Sequence, residues 1–163
     1  EDLKEALAEG KEQEMELSYS HKAKGSGDND LGDVYVEISI DRQTMWCYKN
    51  GQVVVETPVV TGDISKAGRA TPKNGCWPIF WKTTEYTMNG PRDENGTPEY
   101  TTFVHYWMPF NGGVGIHDLA SRGNNFGGDI YKTNGSHGCI NTPLAAVKTI
   151  YETVSVGTPV IVY

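Results

Sequence analysis

The sequence predicts a mostly β fold, a β-rich sandwich or mixed sheet, with one main α-helix near residues 143–155. Glycine and tyrosine are abundant, at 19 and 9 of 163 residues, and valine and threonine are frequent, which favours strands and turns. Residues 34–40 alternate between apolar and polar side chains. Asn50-Gly51 stands between two strand-like segments and is typical of a tight hairpin turn.

The predicted helix has a recognisable beginning and one apolar stripe. Thr142 is a suitable N-cap, and Pro143 suits the first helical position. The apolar side chains that follow recur at helical spacing, at Leu144, Val147, Ile150 and Tyr151.

Further strands are predicted where branched and aromatic residues cluster. These segments are residues 44–48, 53–55, 76–82, 102–108, 112–117 and 159–163. Residues 83–101 are polar and rich in turn residues, so we expect a long loop there. A loop of that length inside a compact domain is typical of a functional lid.

Charge and composition divide the chain into a lead-in and one domain. The net charge is −7, and residues 1–16 hold seven acidic residues against two lysines. Residues 24–33 are rich in Gly, Asp and Ser, so residues 1–33 are predicted to be a lead-in and linker, and residues 34–163 a single domain. A basic stripe is absent, which argues against nucleic-acid binding. No apolar run approaches the roughly 20 residues that span a bilayer.

The three cysteines, Cys47, Cys76 and Cys139, fit neither a zinc-finger spacing nor a disulfide framework. Cys47 and Cys76 would be able to pair if their strands were adjacent. Two small apolar side chains packed in a sheet are the favoured interpretation.

Residues 136–139 place a serine, a histidine, a glycine and a cysteine side by side. A thiol acts as a nucleophile only as the thiolate. Because Cys139 lies three residues before Thr142, we expect the start of the helix to favour the thiolate, with the N–H groups of Gly138 and Cys139 aimed at an oxyanion. His137 and His117 are both candidate bases, and His117 ends a predicted strand.

Other interpretations of these residues remain open. A single cysteine is commonly a buried apolar side chain, and a single histidine is commonly a hydrogen-bonding residue. His117, His137 and Cys139 are also able to ligate zinc with an open fourth position. His21 and His105 suggest no particular role.

The pattern resembles the catalytic domain of the YkuD-type L,D-transpeptidases, in a Gram-positive-like form. The motif is His117, a spacer of eighteen residues, and then Ser136-His137-Gly138-Cys139-Ile140-Asn141. The resemblance extends over residues 34–163. It includes the segments VEISIDRQTMWCYKNG at 36–51, TPK at 71–73, YWMPF at 106–110, GIHD at 115–118 and GTPVIVY at 157–163.

The resemblance implies a fold of the L,D-transpeptidase type and a cysteine acyltransferase that remodels peptidoglycan. Cys139 would attack the carbonyl of the third residue of a tetrapeptide stem and release D-alanine. The thioester would then pass to an amine acceptor and form a cross-link between third residues. His117 would be the base, oriented by the backbone carbonyl of Asp118.

The remaining site residues are implied to have supporting roles. Gly138 would contribute to the oxyanion site, Ser136 and His137 would shape the loop, and Asn141 would brace it. Tyr106, Trp107 and Tyr131 are candidate walls of the substrate groove. No cofactor and no metal is implied.

The resemblance also implies partners and a location. The partners would be peptidoglycan stem peptides, with carbapenems as inhibitors, and the site of action would be the cell-wall side of the membrane. The full-length protein would be secreted or membrane-anchored, with residues 1–33 forming the tail of a preceding peptidoglycan-binding-type region. The alternatives are an L,D-carboxypeptidase that uses water as the acceptor, and a non-catalytic wall-binding domain.

Overall fold

The structure, a computed structural model, describes residues 30–163. Most of the predicted lead-in, including His21, lies outside the described residues. The described part forms these elements: β1 (Val34–Ser39), β2 (Thr44–Lys49), β3 (Gln52–Pro58), β4 (Gly75–Pro78), β5 (Thr83–Asn89), β6 (Thr101–Asn111), β7 (Val114–Asp118), a 3₁₀ helix (Ala120–Arg122), α1 (Tyr131–Asn134), β8 (Ile140–Thr142), α2 (Leu144–Thr153) and β9 (Pro159–Val162).

The strands form two mixed sheets. One sheet has the order β3-β2-β1-β9-β4, and the other has the order β5-β6-β7-β8. β1 pairs in parallel with β9, and β7 pairs in parallel with β8, whereas the other neighbours are antiparallel. Asn50 and Gly51 have φ values of 52° and 74°, as a two-residue type I′ hairpin requires. The mostly β prediction with one main helix is confirmed.

One apolar core joins both sheets to α2. The helix packs against β3, β6 and β7. The fully buried side chains of this cluster include Val36, Ile38 and Val160 from the first sheet, Met108, Ile116 and Ile140 from the second, and Val147 and Ile150 from α2. Each such side chain contributes about 1.5–3 kcal/mol of transfer free energy. The core therefore fixes the ends of β7 and β8 rigidly.

The start of α2 differs from the sequence prediction by one residue. Pro143, with φ −55° and ψ 138°, is the N-cap, and Thr142 is the last residue of β8. The Thr142 hydroxyl donates to Ile140 O at 3.2 Å, so it does not cap the helix. At the other end of α2, Lys82 Nζ donates to Tyr151 O at 2.7 Å and to Val154 O at 2.8 Å.

The first part of the predicted long loop at residues 83–101 is a strand. Residues Thr83–Asn89 form β5 and pair with β6, which leaves residues 90–100 as the connection. The prediction was wrong because polarity suggested a loop, whereas threonine and tyrosine suit a half-exposed strand. The strand predicted at residues 76–82 ends at Pro78.

Cys47 and Cys76 do not form a disulfide with each other. Cys47 is fully buried in β2, whereas Cys76 is exposed on β4, and β1 and β9 separate the two strands. The interpretation as two packed apolar side chains therefore holds for Cys47 alone.

Candidate active site

The parallel pairing of β7 with β8 creates the candidate active site. His117 pairs with Asn141, and Ile116 pairs with Ile140, so Cys139 immediately precedes β8 beside the end of β7. A cavity of about 270 Å³ opens at this point. The residues that line it are Met88, Tyr100, Thr102, His117, Leu119, Ser121, Arg122, Gly135, Ser136, His137, Cys139 and Asn141.

His117 is held in one tautomer. Its side chain is 3 % exposed, and its Nδ1 lies 2.6 Å from Asp118 O. A carbonyl oxygen can only accept, so Nδ1 carries the proton and Nε2 carries the lone pair of the neutral ring. Burial lowers the pKa of His117 below its usual 6.5. The imidazole is therefore a neutral base at physiological pH.

The backbone of Asp118 is fixed through its own side chain. The buried carboxylate accepts hydrogen bonds from the N–H groups of His105 and Tyr106 at 2.8 and 2.9 Å. It also lies 2.8 Å from His105 Nδ1. His105, for which the sequence suggested no role, thus helps to anchor the carbonyl that orients His117.

Burial favours the neutral form of the Cys139 thiol. Sγ lies 3.6 Å from Gly113 O, to which it donates. Burial raises the pKa of the Cys139 thiol from 9.0 to about 11, although a backbone hydrogen bond from Gly115 opposes the rise. The expected thiolate is contradicted because residues 140–142 form β8, which separates Cys139 from the start of α2.

Asn141 connects His117 to Arg122. A guanidinium can only donate, so the amide oxygen of Asn141 faces Arg122, at 2.7 Å from Nε and 3.2 Å from one terminal nitrogen. The amide NH₂ then lies 3.3 Å from His117 Nε2 and donates to its lone pair. Before substrate arrives, the base is therefore occupied by Asn141 rather than by the thiol.

The nucleophile loop, residues 136–139, is held by two hydroxyl groups. Ser136 Oγ donates to Cys139 O at 2.6 Å and accepts from the Gly138 N–H at 3.0 Å. Thr71 Oγ1 donates to Gly138 O at 2.7 Å and accepts from the Gly62 N–H at 2.8 Å. Gly138 has φ +119°, which a side chain rarely adopts.

The N–H groups of this loop are not equally available to an oxyanion. The Gly138 N–H is already bonded to Ser136 Oγ. No described residue accepts a hydrogen bond from the Cys139 N–H. The Cys139 N–H is accordingly the donor best placed to stabilise a negative charge on the substrate oxygen. The Gly138 N–H could donate to the same oxygen only after breaking its hydrogen bond to Ser136 Oγ.

His137 contacts the connection between β5 and β6. Its ring lies 4.6 Å from the ring of Tyr100, and Nε2 lies 3.5 Å from Glu99 Oε1. Glu99 also binds Arg69 at 2.7 Å. Within residues 30–163, His, Cys, Asp and Glu side chains form no group of three or more that would hold a metal, so the zinc interpretation has no geometric support.

The three predicted groove aromatics lie outside the cavity lining. Trp107 is 5 % exposed, and its ring lies 5.7 Å from the His117 ring, which it supports by packing. Tyr106 packs against Tyr151 at 5.1 Å. Tyr131 is buried and lines a separate cavity of about 280 Å³.

Sequence reasoning missed Tyr100, Arg122 and Thr71. Tyr100 lines the cavity from the stretch that was predicted to be a loop, and burial raises the pKa of its hydroxyl. Arg122 follows His117 by five residues, which is a proximity signal in the sequence. Thr71 carried no comparable signal, since only the fold brings it to Gly138.

Comparison with known proteins agrees with this geometry. The family model described as the YkuD L,D-transpeptidase catalytic domain matches residues 33–162. The chain belongs to the L,D-transpeptidase catalytic-domain family. None of the curated protein sequences matches it.

Several solved L,D-transpeptidases resemble the chain. A cysteine-to-serine mutant from Enterococcus faecium is 41 % identical with a TM-score of 0.71, over 82 % of this chain and 51 % of that one. The E. faecium catalytic domain acylated by ertapenem is 42 % identical with a TM-score of 0.66, over 80 % and 97 %. The enzyme from Mycobacterium smegmatis is 28 % identical with a TM-score of 0.66, over 80 % and 58 %.

The chain spans about half of the length of the first of these E. faecium proteins. None of the helices within residues 30–163 is long and apolar enough to cross a membrane.

Proposed function

We propose that this chain is a peptidoglycan L,D-transpeptidase in which Cys139 is the nucleophile and His117 is the general base. The observation that carries the proposal is the meeting of the Cys139 thiol with a neutral, tautomer-fixed His117 in one cavity of a domain of this family. The donor is a tetrapeptide stem, and the acceptor is an amine of a second stem. The site of action is the cell-wall side of the membrane.

Acylation begins with two neutral groups. Substrate displaces the Asn141 amide from His117 Nε2, which then takes the proton from Sγ as the sulfur attacks the carbonyl of the third residue. Negative charge develops on the carbonyl oxygen, next to the Cys139 N–H. The bond to D-alanine breaks, and the leaving amine takes the proton from His117.

Deacylation reverses the proton movements. The acceptor amine attacks the thioester carbonyl and gives up a proton to Nε2. The bond from carbon to sulfur breaks, and the proton returns to Sγ. A new amide then joins the third residues of donor and acceptor, and water in place of the amine would yield the free tripeptide instead.

The proposed acylation and deacylation are supported by the hydrogen bonds that hold His117 and the nucleophile loop in place. Asp118 O fixes which nitrogen of His117 is the base, and Ser136 and Thr71 fix the loop that carries the sulfur. One relative, the E. faecium catalytic domain, is described as acylated by ertapenem. We infer that carbapenems acylate Cys139 in the same way.

The decisive experiment is mass spectrometry of the protein and its products after mixing with a disaccharide-tetrapeptide. We expect a thioester at Cys139, loss of D-alanine and formation of cross-linked dimers. Tripeptides without dimers would show a carboxypeptidase, and unchanged substrate would indicate a wall-binding domain.

Matched variants identify the reacting groups. Cys139→Ala should abolish the thioester and the carbapenem adduct, whereas Cys76→Ala, which removes the exposed thiol of β4, should retain both. His117→Gln should slow acylation by about 100-fold or more, in the range of general-base catalysis. Turnover by Cys139→Ala would show that the nucleophile lies elsewhere.

A further inference from the structure

Arg122 is a half-buried cation beside the catalytic base. It is the last residue of the 3₁₀ helix after β7, and it lines the 270 Å³ cavity together with His117 and Cys139. It also lines an adjoining cavity of about 400 Å³, with Leu119 and Ser121 shared between the two. Arg122 therefore lies at the boundary between the two cavities.

The charge of Arg122 has no protein counterpart. Among the described residues, no carboxylate lies within ion-pair distance of the guanidinium. Arg122 is also the only Lys, Arg, Asp or Glu among the residues that line the cavity. A partly buried charge without a counter-charge is costly, so an anion bound in the cavity would stabilise it.

The hydrogen bonds of Arg122 leave part of the guanidinium available. Nε and one terminal nitrogen hold the Asn141 oxygen, and that terminal nitrogen also donates to Asn134 O at 3.0 Å. No described residue accepts from the other terminal nitrogen. These bonds fix the plane of the fork, so a planar carboxylate meets donors that are already oriented.

The donor stem carries such a carboxylate close to the scissile bond. The leaving D-residue holds its free carboxylate on the carbon attached to the leaving nitrogen, two bonds from it. His117 must protonate that nitrogen, and Arg122 is tied to His117 Nε2 through a single amide, Asn141. The leaving-group side of the cavity is consequently the side on which Arg122 lies.

We propose that Arg122 binds the free terminal carboxylate of the donor stem and so selects stems in which the residue after the scissile bond is the last one. The inference rests on the proposed transpeptidase function. A stem extended by one more residue carries a neutral amide at this position and does not neutralise the guanidinium. Because the charge of Arg122 also lowers the pKa of His117, a bound carboxylate restores basicity to His117 when the substrate is in place.

The test measures thioester formation at Cys139 without an acceptor amine, using a tetrapeptide stem and the same stem with a C-terminal carboxamide. We expect kcat/KM for acylation to favour the acid by about 10- to 100-fold, the range for a charge-assisted hydrogen bond. Arg122→Gln should lose this preference, so that acid and amide react at similar rates. Arg122→Lys should restore part of it.

The controls separate binding from positioning. Lys132→Met removes an exposed cation that pairs with Asp129, and it should retain the full preference. Labelling of Cys139 by iodoacetamide and the thermal unfolding midpoint verify that Arg122→Gln is folded with an accessible thiol. If Arg122→Gln slowed acid and amide equally, Arg122 would act only through Asn141, and the proposal would be overturned.

The remaining outcomes are also decisive. Equal rates for acid and amide in the unmodified protein overturn the inference and leave the transpeptidase proposal intact. Failure of both stems to form a thioester overturns the transpeptidase proposal and the inference together.

Discussion

Replacement of Thr71 by valine tests how the nucleophile loop is held. Thr71 is 5 % exposed, and its hydroxyl bridges the Gly62 N–H and Gly138 O at 2.8 and 2.7 Å. Valine has nearly the same shape but no hydroxyl. Thr71→Val therefore leaves one backbone donor and one backbone acceptor without a partner while the packing stays almost unchanged.

The expected cost follows from these two hydrogen bonds. A buried polar group that loses its partner costs about 1–3 kcal/mol, so the pair is expected to lower the free energy of unfolding by roughly 2–6 kcal/mol. A domain of this size has a total stability of about 5–15 kcal/mol, so the circular dichroism spectrum without urea is used to verify that the variant is folded. Acylation should fall by about tenfold or more, because Gly138 precedes the reacting cysteine and a small displacement is expensive in rate.

Urea unfolding followed by circular dichroism and carbapenem acylation followed by intact mass measure the two effects. Thr71→Ser is the matched control, since it retains the hydroxyl and loses one methyl group, at about 1 kcal/mol. It should stay close to the unmodified protein in acylation. Equal stability and equal acylation in the valine and serine variants would refute the bridging role of the hydroxyl.

Three further predictions concern the thiol, the loop and the helix. Burial raises the pKa of Cys139 to about 11. In a Cys76→Ala background, the rate of iodoacetamide labelling of Cys139 should therefore rise with pH up to about that value. A rate that reaches its plateau near neutral pH would contradict a neutral thiol. Gly138→Ala, at φ +119° with a Cβ 3.3 Å from Val114 Cγ2, should slow acylation and lower the free energy of unfolding by about 1–3 kcal/mol, measured by calorimetry. Lys82→Met should lower the free energy of unfolding in urea by about 1–2 kcal/mol, because Lys82 donates hydrogen bonds to carbonyls at the end of α2. Acylation should be unchanged, because Lys82 lies outside the active-site cavity. Reduced acylation would be inconsistent with this role.

Local sequence patterns predicted those parts of the fold that depend on neighbours along the chain. Asn50-Gly51 adopts the positive φ values of the predicted hairpin. Val147 and Ile150 of the predicted apolar repeat are buried on α2, whereas Leu144, the first member of the repeat, is 50 % exposed. In both cases, the residue types restrict the backbone or the buried face independently of distant contacts.

The sequence predictions failed where contacts between distant parts of the chain determine the local structure. Thr142 has the chemistry of an N-cap, yet pairing with Asp118 extends β8 through it and moves the start of the helix by one residue. The same strand keeps Cys139 away from the helix and leaves its thiol neutral. Thr71 reaches Gly138 only through the folded chain, and the closeness of Arg122 to His117 in the sequence does not reveal its contact with Asn141.

The pairing of β7 with β8 sets the relative positions of His117 and Cys139, and it does so independently of the length of the segment between the two strands. His117 is opposite Asn141 because β7 and β8 pair at that register, whatever path the chain takes between residues 119 and 139. The length of the spacer in the motif therefore does not determine the relative positions of His117 and Cys139. A guest peptide inserted at the exposed Asn124 would lengthen the spacer without altering the pairing of β7 with β8. A slip of one residue in β8, by contrast, would turn every side chain of that strand to the opposite face. This domain can thus carry grafted loops close to its nucleophile, as long as the three residues of β8 keep their partners.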